Sequence, residues 1–155
     1  MRFIIAAVGR PRHRGLAAAI RDYEARAARY WPLDVCEVRE EPARGVRPEV
    51  VRAREGARIL GCAGPSARVV ACDAEGDLMT SLEFANWVQQ ARERETHDVV
   101  FLLGGAFGLA VDVRARAAMR LSFSRWTLPH ELARLVLAEQ LYRAGTIVRG
   151  EPYHK

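Results

Sequence analysis

The chain has 155 residues, half of them apolar and 28% charged, and its Arg and Lys outnumber Asp and Glu by 24 to 19 for a formal charge of +5. That length suits one domain able to bury roughly 68–70% of its unfolded surface, and the composition is ordinary for a globular protein. No apolar run approaches the roughly 18 residues that a membrane-spanning helix needs, and the short apolar start lacks a convincing cleavage site for a signal peptide.

The charge is unevenly placed. The first thirty residues hold seven arginines against Asp22 and Glu24, which accounts for the whole excess, and Lys155 is the only lysine. A basic N-terminal segment and a pI near 9.6 are consistent with an RNA partner; a solvated helix face gives the same pattern. Cys36, Cys62 and Cys72 are odd in number and lack C-x-x-C spacing. That points away from a disulfide framework or zinc site and toward a reducing, cytoplasmic compartment.

In chain order, Arg2–Val8 is expected to be an apolar strand, with Gly9-Arg10-Pro11 turning into a helix over His13–Trp31. Leu16, Ile20, Tyr23, Ala27 and Tyr30 fall on one face of that helix, and Pro32 ends it. Leu33–Val38 alternates as a strand, Glu40–Pro48 is a loop, and Glu49–Leu60 a second helix stopped by Gly61 and Gly64. Arg68–Cys72 is predicted as a buried strand, Asp73-Ala74-Glu75-Gly76 as a turn, and Ser81–Glu95 as a third helix. Asp98–Leu103 is the most apolar strand and ends at Gly104-Gly105. Alternating strands and helices imply one compact α/β domain over residues 1–155 with a mostly parallel sheet flanked by helices.

In such a sheet, ligands bind outside the carboxyl ends of strands. Two places qualify: Cys72-Asp73 with Glu75-Gly76, and the loop Gly104–Leu109. The glycine loop lacks both the dinucleotide fingerprint and the P-loop lysine, which disfavours nucleoside triphosphate hydrolysis and nicotinamide chemistry. Turn glycines, or a close backbone approach to something flat, explain it equally. His13, His97, His130 and His154 show no metal-binding spacing. Asp73 suits either a turn or a ribose hydroxyl. Ser122–Thr127, in a loop before the last helix, offers hydroxyls and backbone donors as a small-molecule clamp.

The C-terminal run Thr127–Lys155 is the most informative. Pro129 suits a first helical position, Glu131 the first turn, and Leu132, Leu135, Val136, Ala138, Leu141 and Tyr142 share one face, core or dimer interface. Gly150 and Pro152 end the helix. The tail Glu151-Pro152-Tyr153-His154-Lys155 carries a carboxylate, a phenol, an imidazole and an ammonium.

Phe101–Gly108, Leu128-Pro129-His130, Glu139–Ala144 and the ending Pro152-Tyr153-His154-Lys155 together resemble the bacterial 23S rRNA pseudouridine-N3 methyltransferase family. This is the minimal, single-domain branch of the SPOUT methyltransferases, and the similarity is essentially full-length. The resemblance implies a C-terminal trefoil knot, a rare exception to unknotted topology, a homodimer, and S-adenosylmethionine as methyl donor with no metal. By motif match, the donor pocket would comprise Cys72, Gly104, Phe123, Ser124, Arg125, Trp126, Thr127 and Leu128. Family members commonly carry a larger aliphatic residue where Cys72 stands, so its thiol is expected to pack rather than react. The implied substrate is a pseudouridine of 23S rRNA within the assembled 70S ribosome. N3 of that base is an imide N–H and a poor nucleophile until its proton leaves. Tyr153 and His154 are therefore expected near the base as catalytic residues, and Arg143 at a phosphate or the developing oxyanion, with Glu139 bracing it. A SPOUT enzyme acting on another RNA such as tRNA, and a non-enzymatic ribosome-binding factor, are the alternatives.

Overall fold

The computed structural model describes residues 1–153. Its elements are β1 (Phe3–Val8), α1 (Arg14–Ala27), β2 (Leu33–Val38), α2 (Pro48–Leu60), β3 (Arg68–Leu78), α3 (Ser81–Arg94), β4 (Val99–Leu103), α4 (Val111–Arg116), β5 (Met119–Ser122) and α5 (His130–Val148). The five strands form one sheet in the order β2-β1-β4-β3-β5, and every paired neighbour is parallel. The expected mostly parallel α/β sheet is therefore present. Among the described residues no helix is long and apolar enough to cross a membrane.

Continuous apolar runs explain the centre. All six residues of β1 and all five of β4 are buried, as a parallel sheet covered on both faces requires. Phe3, Ile5 and Ala7 with Val99, Phe101 and Leu103 face a core shared with Trp31, Phe84, Val88, Leu137 and Leu141. Ile4, Ala6 and Val8 with Val100 and Leu102 face the second core, closed by Ile59 of α2 and Val113 of α4. The first layer is thus α1, α3 and α5, and the second is α2 and α4. α3 starts on a capping box, Thr80 with Glu83, which satisfies two otherwise orphaned backbone donors.

Five expectations change. The segment Asp73–Gly76 lies inside β3 as a bulge: Cys72 and Asp77 both pair with Leu121, so the residues between them loop out of register. Asp73 Oδ1 accepts the Glu75 N–H at 3.1 Å, which is the turn chemistry legible in the sequence, here set within a strand. Ser122 closes a fifth strand instead of opening the loop.

The buried face of α5 consists of Arg134, Leu137, Ala138, Leu141, Ala144, Gly145 and Thr146, while Leu132, Leu135 and Val136 stay partly exposed. An arginine at a core position hides the true stripe. Arg134, 4% exposed, is held by Glu24 at 2.8 Å and Glu37 at 2.7 Å. Pro129 sits at the N-cap, one position earlier than expected.

Cys36 and Cys62 form a disulfide with Cα atoms 6.2 Å apart, leaving Cys72 free, contrary to the reading of the spacing. Linear spacing is blind to this pair. Cys36 in β2 and Cys62 just beyond α2 are 26 positions apart, and only tertiary packing apposes them.

Candidate functional site

Three loops meet at the carboxyl ends of β3, β4 and β5 and enclose a cavity of about 540 Å³. All eight residues expected to hold a donor line it: Cys72, Gly104, Phe123, Ser124, Arg125, Trp126, Thr127 and Leu128. The glycine loop forms its floor. Gly108 adopts φ +80°, a conformation that side-chain-bearing residues rarely take, and its N–H bonds Gly105 O at 3.0 Å. A Cβ on Gly104 would lie 2.7 Å from the Gly108 carbonyl carbon, so backbone rather than side chain forms this wall. The 123–128 loop is tied to the bulge of β3. Ser122 Oγ lies 3.1 Å from Ala74 O and 2.9 Å from Ser124 O, and the Trp126 N–H donates to Ser124 Oγ at 2.9 Å.

The carboxylates Asp73 and Glu75 at the mouth are already engaged. Asp73 pairs with Arg114 at 2.8 Å and Arg120 at 2.9 Å. Burial alone would raise its pKa, but the Glu75 N–H and the two guanidinium groups outweigh that and hold it below the usual carboxylate value. With both arginines on Oδ2 and the Glu75 N–H on Oδ1, Asp73 acts here as the anchor of the bulge. Burial pushes the Cys72 thiol up, with Asp73 adding to the shift. It stays protonated and packs, as the sequence reading holds. Trp126 is 81% exposed, unlike Trp31, which is buried and donates to Leu141 O at 2.8 Å. Among the described residues no three His, Cys, Asp or Glu side chains are grouped as metal ligands.

The expected catalytic residues lie elsewhere. Arg143 and Tyr153 do not line this cavity. Both converge on Glu139, one turn back on α5: Arg143 donates to its Oε1 at 2.6 and 3.0 Å, and Tyr153 Oη donates at 3.0 Å. Tyr153 also packs on Tyr142, with ring centroids 4.6 Å apart, carries the Arg143 guanidinium over its face at 4.8 Å, and meets Tyr23 Oη at 3.3 Å. Burial, then the bonds to Tyr23 and Glu139, push the Tyr153 phenol up, which keeps it neutral and a donor. Glu139 braces Arg143, as expected. His154 lies outside the described residues.

The N-terminal arginines line the approach. Arg10 and Arg12 are highly exposed and are steadied by Glu37 and Glu40. Glu131 ties this loop to α5, accepting the Arg12 N–H at 2.7 Å, a bond that lowers its pKa. The sequence reading missed Arg134 and a larger second cavity beside the first. Arg134 precedes Leu137, Ala138 and Leu141 at three-, four- and seven-residue spacing, and that is the signal that could have found it. His130, left open as structural or ligand-facing, lines both cavities.

A protein named ribosomal RNA large subunit methyltransferase H from Gemmatimonas aurantiaca is 59% identical over 155 residues, covering 100% of both chains. One of the same name from Anaeromyxobacter dehalogenans is 48% identical, again over 100% of both. Among solved structures, the SpoU methyltransferase AviRb from Streptomyces viridochromogenes in complex with AdoMet matches 96% of this chain and 58% of that one, at 16% identity and a TM-score of 0.46. A family model described as "Predicted SPOUT methyltransferase" matches residues 1–154, and the chain belongs to the SPOUT methyltransferase family.

Proposed function

We propose that this single domain transfers a methyl group from S-adenosylmethionine to N3 of a pseudouridine in 23S rRNA of the assembled ribosome. The observation that carries the reading is the cavity. Three separate loops bring all eight expected donor-binding residues to one wall, in a chain whose full-length relatives are named as large-subunit rRNA methyltransferases. The cavity fits such a donor: its volume lies within the usual range for small-molecule sites, roughly 300–1,000 Å³, and the backbone of the Gly104–Gly108 loop lines it.

The donor supplies a methyl group already activated on a sulfonium, so the protein's task is positioning and proton removal. Backbone groups of the 123–128 loop hold the adenine, and the Gly104–Gly108 floor keeps the methyl-bearing end at the carboxyl edge of the sheet. The proton on N3 must leave before or with transfer. Arg143 and Tyr153, held as donors on Glu139, are suited to stabilise charge developing on the base oxygens; His154 is the base.

Because Arg143 and Tyr153 stand apart from the donor cavity within one chain, the active unit is a homodimer in which the tail of one copy completes the cavity of the other. The partly exposed Leu132, Leu135 and Val136 support such a pairing along α5. The C-terminal portion is read as a trefoil knot, the chain passing from β5 through the 123–128 loop before turning back into α5. The setting is cytoplasmic. There the Cys36–Cys62 bond is open to reduction; neither sulfur lines the donor cavity, so the site does not depend on it.

The test is methyl transfer from labelled donor to ribosomes of cells lacking this protein, with nucleoside mass analysis. Label in N3-methylpseudouridine of the large-subunit RNA is expected. Label confined to tRNA, or donor binding without any transfer, would overturn the substrate.

A further inference from the structure

A cavity of about 1,010 Å³, larger than the donor cavity, opens at the carboxyl ends of β1 and β2. None of the expected site residues lines it. It is not isolated from the donor cavity: Ala106, Phe107 and His130 line both. It reaches the switch point of the sheet, which lies between β1 and β4, through Ala106 and Phe107 of the loop after β4. Crevices at switch points are where open α/β sheets bind ligands.

We propose, resting on the reading of the chain as an RNA methyltransferase, that this second cavity receives the unpaired nucleotide to be methylated. Where the two cavities share Ala106, Phe107 and His130, the acceptor nitrogen would meet the donor's methyl group in line, taking the methyl as the sulfonium bond breaks. Phe107 is 39% exposed and presents an aromatic face, the usual platform for a splayed RNA base. At the rim, Arg10 and Arg12 extend into solvent, where guanidinium forks suit the nucleotide's phosphates.

The lining has one further carboxylate. Glu37, Glu40 and Glu41 in this cavity are each ion-paired to arginine. Glu55 is not: it is 5% exposed, its Oε1 accepts the Glu41 N–H at 3.0 Å, and its Oε2 is buried without a partner. That oxygen lies against Gly105 of the donor cavity, where a Cβ would come within 2.7 Å. Glu55 therefore stands back to back with the donor floor and holds unused hydrogen-bonding capacity. A carboxyl there matches a pyrimidine imide, accepting from its N–H when ionised and donating to its carbonyl when protonated. Burial also favours the protonated form.

The test fills the cavity without touching the donor side. Val38→Trp, and independently Pro11→Trp from the neighbouring loop, place an indole where the nucleotide would sit. Donor affinity by calorimetry is expected to remain within about twofold of wild type, while kcat/KM for ribosomes falls about a hundredfold. Glu55→Gln keeps the shape and the Glu41 bond, and is expected to change the acceptor KM about tenfold with donor affinity unchanged. A folded, donor-binding Val38→Trp or Pro11→Trp enzyme with wild-type ribosome kinetics would refute the site. Absence of transfer by the wild-type protein would instead strike the methyltransferase reading itself.

Discussion

The donor cavity and the C-terminal cluster are built in opposite ways. The cavity is made of backbone: a glycine floor too close for side chains, and a 123–128 loop tied by Ser122 and Ser124 to the bulge of β3. Its buried carboxylate, Asp73, is paired with Arg114 and Arg120. The cluster on α5 is made of side chains. Arg143 and Tyr153 are both aimed at one carboxylate oxygen of Glu139, with Tyr153 packed between Tyr142 and the Arg143 guanidinium. One region is a preformed container with little chemistry of its own; the other holds donors with no container. On the function proposed above the reaction needs both, which is the physical reason for reading the active unit as two copies of the chain.

Breaking either half should separate them experimentally. Deleting Tyr153–Lys155 is expected to reduce methyl transfer by about a thousandfold or more with donor affinity and thermal midpoint retained, checked by calorimetry and circular dichroism. The complementary lesion, Gly104→Val, puts a branched side chain against the Gly108 carbonyl and should weaken donor binding about a hundredfold, measured by the same titration. Arg143→Lys sharpens the comparison, since it keeps the charge and loses the planar fork on Glu139; a fall in kcat of about tenfold with unchanged donor affinity is expected.

A smaller effect is expected from salt. If Arg10 and Arg12 contact RNA phosphates, the double alanine variant should lower the slope of log affinity against log salt by about 1.4–1.8, at 0.7–0.9 per phosphate contact. Filter binding over a salt series measures it.

The smallest effect concerns Glu55, on the wall between the two cavities. Burial raises its pKa, partly offset by the Glu41 N–H, with Glu40, Arg58 and His130 as its charged or titratable neighbours. A carboxyl raised in the folded state contributes stability at low pH that is lost as pH climbs through the folded value. Thermal midpoints of wild type and Glu55→Gln should therefore diverge above the ordinary carboxylate range, the variant gaining relative to wild type; parallel curves would contradict a costly buried charge.

Much of this architecture was legible in the sequence, and the reasons are specific. β1 and β4 are continuous apolar runs, and only a sheet covered on both faces buries them. The donor-site residues were named by motif resemblance rather than by periodicity, and the fold gathers them at one cavity from three separate loops. What stayed hidden required tertiary information. Arg134 interrupts the apolar stripe of α5 because Glu24 and Glu37, distant in sequence, neutralise it in the core. Cys36 and Cys62 meet only once α2 packs beside β2. The second cavity is lined by turns that carry no motif, and Glu55 sits in an ordinary charged stretch of α2 until the glycine loop arrives against it.

The most direct test mixes the two lesions. Gly104→Val protein keeps its tail but lacks a working cavity, and protein lacking Tyr153–Lys155 keeps its cavity but lacks the tail. Each alone should be inactive on ribosomes. If the tail acts across the dimer, an equal mixture allowed to exchange subunits forms one intact site per mixed dimer and recovers about a quarter of wild-type transfer. Mixed dimers that form, as native mass measurement would show, yet remain inactive would contradict completion of the cavity by the second copy.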